Sequence, residues 1–277
     1  MKYAFFGTPT FAAIILKKLI KAGFVPTVII CNPDRPVGRK KIITPPPTKV
    51  IATENNVKVI QPIHLEPSLF TGMNFDLFII AAYAKIIPKK ILEIPKLGAI
   101  GVHPSLLPRY RGATPIQTAI LNGEKETGVT LFFLDEQVDH GPILESRNQK
   151  IENNDNYESL HDKLAELGGE LLTETIPKYL GGEFTLHPQN EKEATYTKKF
   201  SDEDGYVDLE KDNPTLIERK VRALNPEPGV WTYTKALTNR HMRINENKRM
   251  KILEVELVDG KLKLKKIQFE GKTPQNL

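Results

Sequence analysis

The sequence predicts an α/β protein in which a Rossmann-like domain with a parallel sheet precedes a smaller domain with β structure. Three patterns lead to this fold class. A strand, a helix and a second strand follow one another within residues 3–31, which predicts a right-handed βαβ unit. Residues 75–82 form an apolar run typical of a parallel strand buried on both faces. Near the C-terminus, alternating apolar residues flank Asp259-Gly260, a strong signal for a two-residue hairpin turn.

The first βαβ unit can be followed along the chain. Residues 3–6 are predicted as its first strand, and Thr8 and Pro9 suit the cap and the first turn of the helix that follows. Gly23 suits the end of that helix, and residues 25–31 are predicted as the second strand. Only one glycine of the fingerprint Gly-x-Gly-x-x-Gly is present, which argues against a dinucleotide cofactor.

Residues 32–48 are predicted as a long loop that is rich in positive charge. Five basic residues and one acidic residue lie between Asp34 and Lys49. Loops of this length inside compact domains tend to be functional, although charge alone slightly favours a solvated surface loop. From Lys235 onwards there are eleven basic and five acidic residues, in a chain whose net charge is +5. The positive charge is therefore localised, which indicates a polyanionic partner.

Residues 98–117 contain the first candidate for chemistry. A short apolar run ends at His103, and three prolines stiffen the loop that follows: Pro104, Pro108 and Pro115. Open α/β sheets bind ligands at the carboxyl ends of their strands, so His103 is a candidate site residue. For a lone histidine, a role as a strand cap or core residue is the favoured alternative. Arg109 and Arg111 in the same loop are interpreted as surface charges or loop anchors.

A second apolar run, residues 128–134, precedes Asp139-His140-Gly141. The spacing of apolar residues then predicts a helix over residues 157–180 that packs on the sheet and ends at Gly181-Gly182. Residues 186–200 are predicted as a polar linker. We therefore place the domain boundary near residue 200, which gives domains at residues 1–200 and 201–277.

The segments HPSLLPRYRG and GVTLFFLDEQVDHGPIL together resemble the formyltransferases that use 10-formyltetrahydrofolate, most closely the methionyl-tRNA formyltransferases. The resemblance extends over nearly the whole chain and includes FGTP, PDRPVGR, AYAKIIP and NPEP. It implies a Rossmann-like formyltransferase domain followed by an OB-like β-barrel that binds tRNA. The C-terminal part of this chain is shorter than is usual in the family, which leaves the completeness of the barrel open.

The resemblance also implies a reaction. A formyl group would pass from 10-formyltetrahydrofolate to the amino group of methionyl initiator tRNA, in support of translation initiation. The basic residues of the 32–48 segment would reach the acceptor arm, and they are Arg35, Arg39, Lys40 and Lys41. A nucleotide-linked amino-sugar formyltransferase shares the catalytic domain and is the alternative enzyme.

The resemblance carries over to particular site residues. His103 and Asp139 match the catalytic pair, and Gly101 stands where the family has an asparagine. The folate would contact Ser105, Leu106, Leu107 and Pro108, and also Tyr83 and Ile86. Ala84 stands where the family usually has glycine, and we expect its methyl group to exclude a strongly positive φ.

Gly101 leaves three explanations open. The chain could be a slow enzyme, it could use a substitute donor such as His140 or a water, or it could bind folate or tRNA without catalysis. The loss of one oxyanion donor typically costs about 10²–10³ in rate. If the family mechanism holds, Gly101→Asn is expected to raise turnover.

The composition of the chain argues against membrane, secreted and metal-binding classes of protein. No apolar run approaches the ~20 residues that a membrane span requires, and the N-terminus has no signal-peptide pattern. The single cysteine, Cys31, is typical of a buried residue in a reducing compartment. No cluster of His and Cys has the spacing of metal ligands. We expect a cytoplasmic monomer that uses no metal.

Overall fold

The computed structural model describes residues 1–38, 40–234 and 248–277. Its helices are α1 Thr10–Lys21, α2 Pro47–Glu54, α3 Lys89–Leu92, α4 Pro115–Asn122, α5 Tyr157–Leu180 and α6 Pro214–Leu224. Its strands are β1 Tyr3–Gly7, β2 Val28–Ile30, β3 Arg35–Val37, β4 Ile42–Thr44, β5 Lys58–Ile60, β6 Leu77–Ala81, β7 Ala99–His103, β8 Arg111–Gly112, β9 Glu126–Phe133, β10 Ile143–Lys150, β11 Tyr196–Thr197, β12 Val230–Tyr233, β13 Arg249–Val258, β14 Lys261–Phe269 and β15 Gln275–Asn276. The helix predicted over residues 157–180 is thus confirmed at both ends.

The chain forms two compact units. The first comprises Met1–Gly112, Glu126–Lys150 and His161–Tyr196, and the second comprises Ala113–Lys125, Ile151–Leu160 and Thr197–Leu277. The last change of unit along the chain therefore falls between residues 196 and 197.

The first unit is built on a seven-stranded sheet with the strand order β10-β9-β7-β6-β1-β2-β5. The five strands from β7 to β5 are parallel, whereas β9 runs antiparallel to β7 and β10 antiparallel to β9. The chain adds β2 and β5 on one side of β1 and then places β6 and β7 on the other. The predicted parallel sheet is confirmed. The direction in which successive strands are added reverses between β1 and β6, and β7 lies on the other side of β6.

The two faces of this sheet carry different cores. One face packs against α1 and α5, so closely that a Cβ on Gly168 would lie 2.9 Å from Val102 Cγ1. The other face carries rings with centroids 5.0 to 6.1 Å apart, from Phe6, Phe70, Phe75 and Phe78. Ala99 belongs to this aromatic core, and the alternation of a strand places Gly101 and His103 on the same face.

Residues 35–37 and 42–44 pair as the two strands of a hairpin, so the prediction of a loop without strands is wrong. β3 and β4 pair antiparallel, with β-branched residues on both sides of a turn that contains Gly38. β-branched residues suit extended backbone, and here they outweigh the charge of the segment. Asp34 closes the base of the hairpin, since Lys49 Nζ lies 2.8 Å from its Oδ2 and Gln61 Nε2 2.7 Å from its Oδ1.

Thr8 does not cap α1, in contrast to the prediction. The N-cap position is Pro9, and no side chain caps the helix. The Thr8 hydroxyl oxygen instead accepts hydrogen bonds from the backbone N–H and the Nδ2 of Asn32, both at 3.1 Å. Asn32 Nδ2 also donates to the carbonyl of Tyr83, at 3.1 Å. Thr8 therefore links the segments that follow β1, β2 and β6, a tertiary contact that the local sequence does not reveal.

The second unit contains α6 and a four-stranded antiparallel sheet in the order β12-β13-β14-β15. The predicted hairpin is confirmed, because Asp259 (φ 49°) and Gly260 (φ 74°) join β13 to β14 with the positive angles of a type I′ turn. Asn213 caps α6 by accepting a hydrogen bond from the N–H of Thr215 at 2.8 Å. No helix in the described ranges is both long and apolar enough to cross a membrane.

The link through Thr8 can be tested by an isosteric substitution. We expect Thr8→Val to lower the free energy of unfolding by about 1–3 kcal/mol, because the buried donors of Asn32 lose their acceptor. Thr10→Val on the exposed start of α1 is the matched control and should change stability by less than ~0.5 kcal/mol. Urea denaturation of both variants measures the difference, and equal stabilities would contradict the link.

Candidate active site

His103 is the last residue of β7, and its side chain is buried, with 6% of the residue exposed. Its Nε2 lies 2.9 Å from the backbone carbonyl oxygen of Tyr110. A carbonyl can only accept, so Nε2 must carry a hydrogen in both charge states of the ring. Proton exchange is therefore assigned to Nδ1, the nitrogen on the other side of the ring.

Asp139 faces this nitrogen. Its Oδ2 lies 3.5 Å from His103 Nδ1 and accepts a hydrogen bond from the N–H of Gly112 at 2.7 Å. Asp139 has a φ of 49°, in the left-handed region that few residues other than glycine adopt. The structure thus brings together the two residues that the sequence predicted as the catalytic pair.

The loop after β7 is held by hydrogen bonds to its own backbone. Ser105 is fully buried, and its hydroxyl donates to the carbonyl of Arg109 at 2.6 Å. Thr130 on β9 donates to the carbonyl of Ser105 at 2.7 Å and accepts from the N–H of Leu107 at 3.1 Å. These bonds fix the loop that ends at Tyr110, whose carbonyl selects the ring tautomer of His103.

The residues predicted to contact folate differ in exposure. Ser105 and Leu107 are buried, and Leu106 and Pro108 are half-buried. Tyr83 is buried, whereas Ile86 is 90% exposed. The Tyr83 hydroxyl has no hydrogen-bond partner among the described residues, and burial raises its pKa to about 12. The role of these six residues in folate binding stays a prediction.

The expectation for Ala84 is wrong. Ala84 has a φ of 60°, and Ala82 has a φ of 46°, so both non-glycine residues adopt the left-handed region. Such a residue typically costs about 1–2 kcal/mol relative to right-handed backbone. Neighbouring hydrogen bonds hold the segment, from Asn32 Nδ2 to the carbonyl of Tyr83 and from Lys85 Nζ to the carbonyl of Pro62 at 3.0 Å.

Gly101 is covered by aromatic and aliphatic side chains. A Cβ at this position would lie 2.5 Å from Phe132 Cε1 and 2.7 Å from Leu134 Cδ1. The register places Phe132 directly opposite Gly101, and the Phe132 ring stands edge-on to His103 with centroids 6.5 Å apart. The space that a side chain at residue 101 would need is therefore filled by Phe132.

His140 is one of the groups considered as a substitute donor, and its ring faces two carboxylates. Its Nδ1 lies 2.6 Å from Asp135 Oδ2, and its Nε2 lies 3.5 Å from Glu191 Oε1. The ring is thus oriented by these two acids.

The structure also shows hydrogen bonds between Arg111 and two residues of the predicted linker, which the sequence did not predict. Arg111 is fully buried, and its guanidinium donates to Gln189 and to Glu191, both in the predicted polar linker. The hydrogen bonds to Glu191 raise the pKa of Arg111 further above its ordinary value. The interpretation of Arg111 as a loop anchor is confirmed, but nothing in the spacing of residues 186–200 indicated that they meet the site.

Three of the four residues predicted to bind tRNA lie on the exposed hairpin: Arg35, Lys40 and Lys41. The fourth, Arg39, lies outside the described residues. The chain positions described by the structure contain no group of three or more His, Cys, Asp or Glu residues arranged to hold a metal ion.

Comparisons with known proteins show the family to which the chain belongs. A formyl transferase model matches residues 1–176, and a model of the formyl transferase C-terminal domain matches residues 199–263. The chain belongs to the formyl transferase family. The methionyl-tRNA formyltransferase of Enterococcus faecalis is 43% identical over 83% of this chain and 75% of its own length. That of Marinobacter nauticus is 40% identical over 91% of this chain and 81% of its own length.

Solved structures of formyltransferases share the fold. The methionyl-tRNA formyltransferase from Clostridium thermocellum covers 97% of this chain and 98% of its own, with a TM-score of 0.59 and 17% identity. An N-formyltransferase from Helicobacter canadensis, in complex with folinic acid and dTDP-3-aminofucose, gives a TM-score of 0.64 at 23% identity and covers 94% and 88%. At these identities the solved structures support the fold alone.

The packing at Gly101 changes the expectation for an asparagine there. We expect Gly101→Asn to lower the free energy of unfolding by about 1–3 kcal/mol, because Phe132 and Leu134 must move. Phe132→Leu should restore part of this loss, with a coupling energy of at least ~1 kcal/mol in a double-mutant cycle. Denaturant unfolding of the four proteins measures that coupling, and strictly additive effects would contradict the packing.

Proposed function

We propose that the chain transfers the formyl group of 10-formyltetrahydrofolate to the amino group of methionyl initiator tRNA and so supports translation initiation. The observation that carries the proposal is the pairing of His103 Nδ1 with the Asp139 carboxylate at the end of β7. Relatives named methionyl-tRNA formyltransferase, about 40% identical over most of the chain, support methionyl-tRNA as the acceptor of the formyl group.

The chemistry uses the two residues as follows. The amine nitrogen of the acceptor attacks the formyl carbon, and the new C–N bond produces a tetrahedral intermediate with a negatively charged oxygen. His103 Nδ1 accepts the proton that the attacking nitrogen loses, and Asp139 stabilises the resulting imidazolium. The oxyanion then re-forms the carbonyl group as the bond from the formyl carbon to the folate nitrogen breaks, and His103 Nδ1 returns its proton to that nitrogen. Ser105, Leu106, Leu107, Pro108, Tyr83 and Ile86 are proposed to hold the folate.

The basic hairpin favours tRNA over a sugar nucleotide as the acceptor. It presents Arg35, Lys40 and Lys41 on an exposed two-stranded ribbon that carries three apolar side chains, Val37, Ile42 and Ile43. The positive charge of this ribbon is complementary to a phosphate backbone. Each basic side chain that contacts a phosphate neutralises it and releases counterions, which favours binding. The C-terminal part of the second unit, Thr197–Leu277, is proposed to contribute further contacts to tRNA.

A direct assay separates the candidate functions. The purified protein is incubated with 10-formyltetrahydrofolate and one acceptor at a time, and the product is identified by mass spectrometry. Formyl-methionine from charged initiator tRNA is the expected result. A formylated amino-sugar nucleotide would support the alternative enzyme, and folate or tRNA binding without any product would indicate a binding protein without catalysis.

The catalytic pair is tested by Asp139→Asn. We expect kcat to fall by about 10²–10⁴, because the neutral amide cannot stabilise the His103 imidazolium. Glu136→Gln in the same loop is the matched control, since the exposed Glu136 carboxylate lies 3.7 Å from Lys89 Nζ. The control should retain kcat within about threefold; a fall as large as that of Asp139→Asn would show that the loop acts as a whole.

The predicted role of Arg39 in tRNA binding is tested by Arg39→Ala. We expect weaker binding of tRNA and unchanged binding of folate. The slope of log K against log salt concentration should become smaller by about 1, as is typical for the loss of one phosphate contact. Fluorescence titrations at several salt concentrations measure the slope. Identical slopes for the two proteins would remove Arg39 from the tRNA interface.

A further inference from the structure

Gln189 makes four hydrogen bonds that connect the site to a buried arginine. Its Nε2 donates to the carbonyls of Asp139 at 2.9 Å and Gly141 at 2.7 Å. Its Oε1 accepts from Arg111 Nε at 3.1 Å and from Arg111 Nη2 at 2.7 Å. The guanidinium only donates and the carbonyls only accept, so these partners fix which end of the Gln189 amide faces the Asp139 turn.

The turn that Gln189 holds has little freedom of its own. Asp139 is in the left-handed region, and a Cβ on Gly141 would lie 1.8 Å from the carbonyl oxygen of Phe133. The backbone at residues 139–141 therefore has to stay close to β9, and a polar donor on its outer side has to satisfy two of its carbonyls. Gln189 is that donor.

Arg111 and Gly112 connect the same turn to β8. The N–H of Gly112 binds the Asp139 carboxylate, whereas the side chain of Arg111 orients Gln189, which binds the Asp139 carbonyl. Asp139 is thus held at both its side chain and its backbone by two consecutive residues of one strand. The Arg111 guanidinium is buried and also pairs with Glu191 Oε1 at 2.7 Å, so this support is rigid.

We propose that Gln189 is a positioning residue that directs the Asp139 carboxylate toward His103 Nδ1. The proposal rests on formyl transfer as the function of the site. Gln189 touches the backbone of Asp139 and acts through it, and its removal misdirects a carboxylate that remains chemically intact.

The decisive variant is Gln189→Glu. The carboxylate matches the amide in size and keeps an acceptor for Arg111, but it places an oxygen against the carbonyls of Asp139 and Gly141. We expect kcat to fall by about 10–100-fold, with KM for both substrates within about threefold, because the misplaced group acts after binding. Asn190→Ala is the matched control, since the Asn190 side chain binds only within residues 190–193 among its described contacts, and it should retain kcat.

Two further measurements separate positioning from general destabilisation. In an Asp139→Asn background, Gln189→Glu should lower kcat by less than about twofold, because residues that act as one unit are not additive. An undiminished effect in that background would overturn the proposal. The second measurement requires no activity: amide hydrogen exchange at Gly112, whose N–H binds the Asp139 carboxylate, should accelerate in Gln189→Glu while global stability is retained.

The hydrogen-exchange result also distinguishes this proposal from the proposed function. If the wild-type protein forms no formylated product while Gly112 exchange accelerates in Gln189→Glu, the function is wrong and the positioning of Asp139 by Gln189 stands. If the wild-type protein is active and the variant leaves both kcat and Gly112 exchange unchanged, Gln189 does not position Asp139.

Discussion

Contacts with three separate segments of the chain determine the position of the Asp139 carboxylate. β7 supplies His103, whose Nδ1 faces the carboxylate at 3.5 Å, and β8 supplies the Gly112 N–H that binds it at 2.7 Å. The segment before β11 supplies Gln189, which binds the backbone of the same residue. Because Asp139 has a positive φ, the turn depends on these contacts, and the geometry of the site depends on the turn.

The aromatic face of the sheet sets a second constraint. Gly101 and His103 lie on the face that carries the phenylalanine core, and Phe132 fills the volume above Gly101. A side chain at residue 101 would therefore require the Phe132 ring and Leu134 to move, which couples these positions energetically.

Local patterns predicted much of the fold. The spacing of apolar residues predicted the bounds of α5, and Asp259-Gly260 predicted the hairpin between β13 and β14. The resemblance in short motifs singled out His103 and Asp139, and the structure places them 3.5 Å apart. The misses share a physical cause, since each depends on contacts between distant residues: Asn32 engages the Thr8 hydroxyl, Ala84 is held in a positive φ, and Gln189 binds the Asp139 turn across 50 positions. The spacing of residues in the sequence indicates local secondary-structure preferences and does not predict contacts between distant residues.

The most direct test of this account is the tautomer of His103, because the proposed proton transfer requires Nδ1 to be the exchanging nitrogen. The protein labelled with ¹⁵N-histidine contains six histidines, and His103→Gln assigns the signal of the site. In two-dimensional ¹H–¹⁵N spectra of the neutral ring, we expect the hydrogen on Nε2, where the Tyr110 carbonyl binds it, and no hydrogen on Nδ1. A neutral His103 with its hydrogen on Nδ1 would contradict the account.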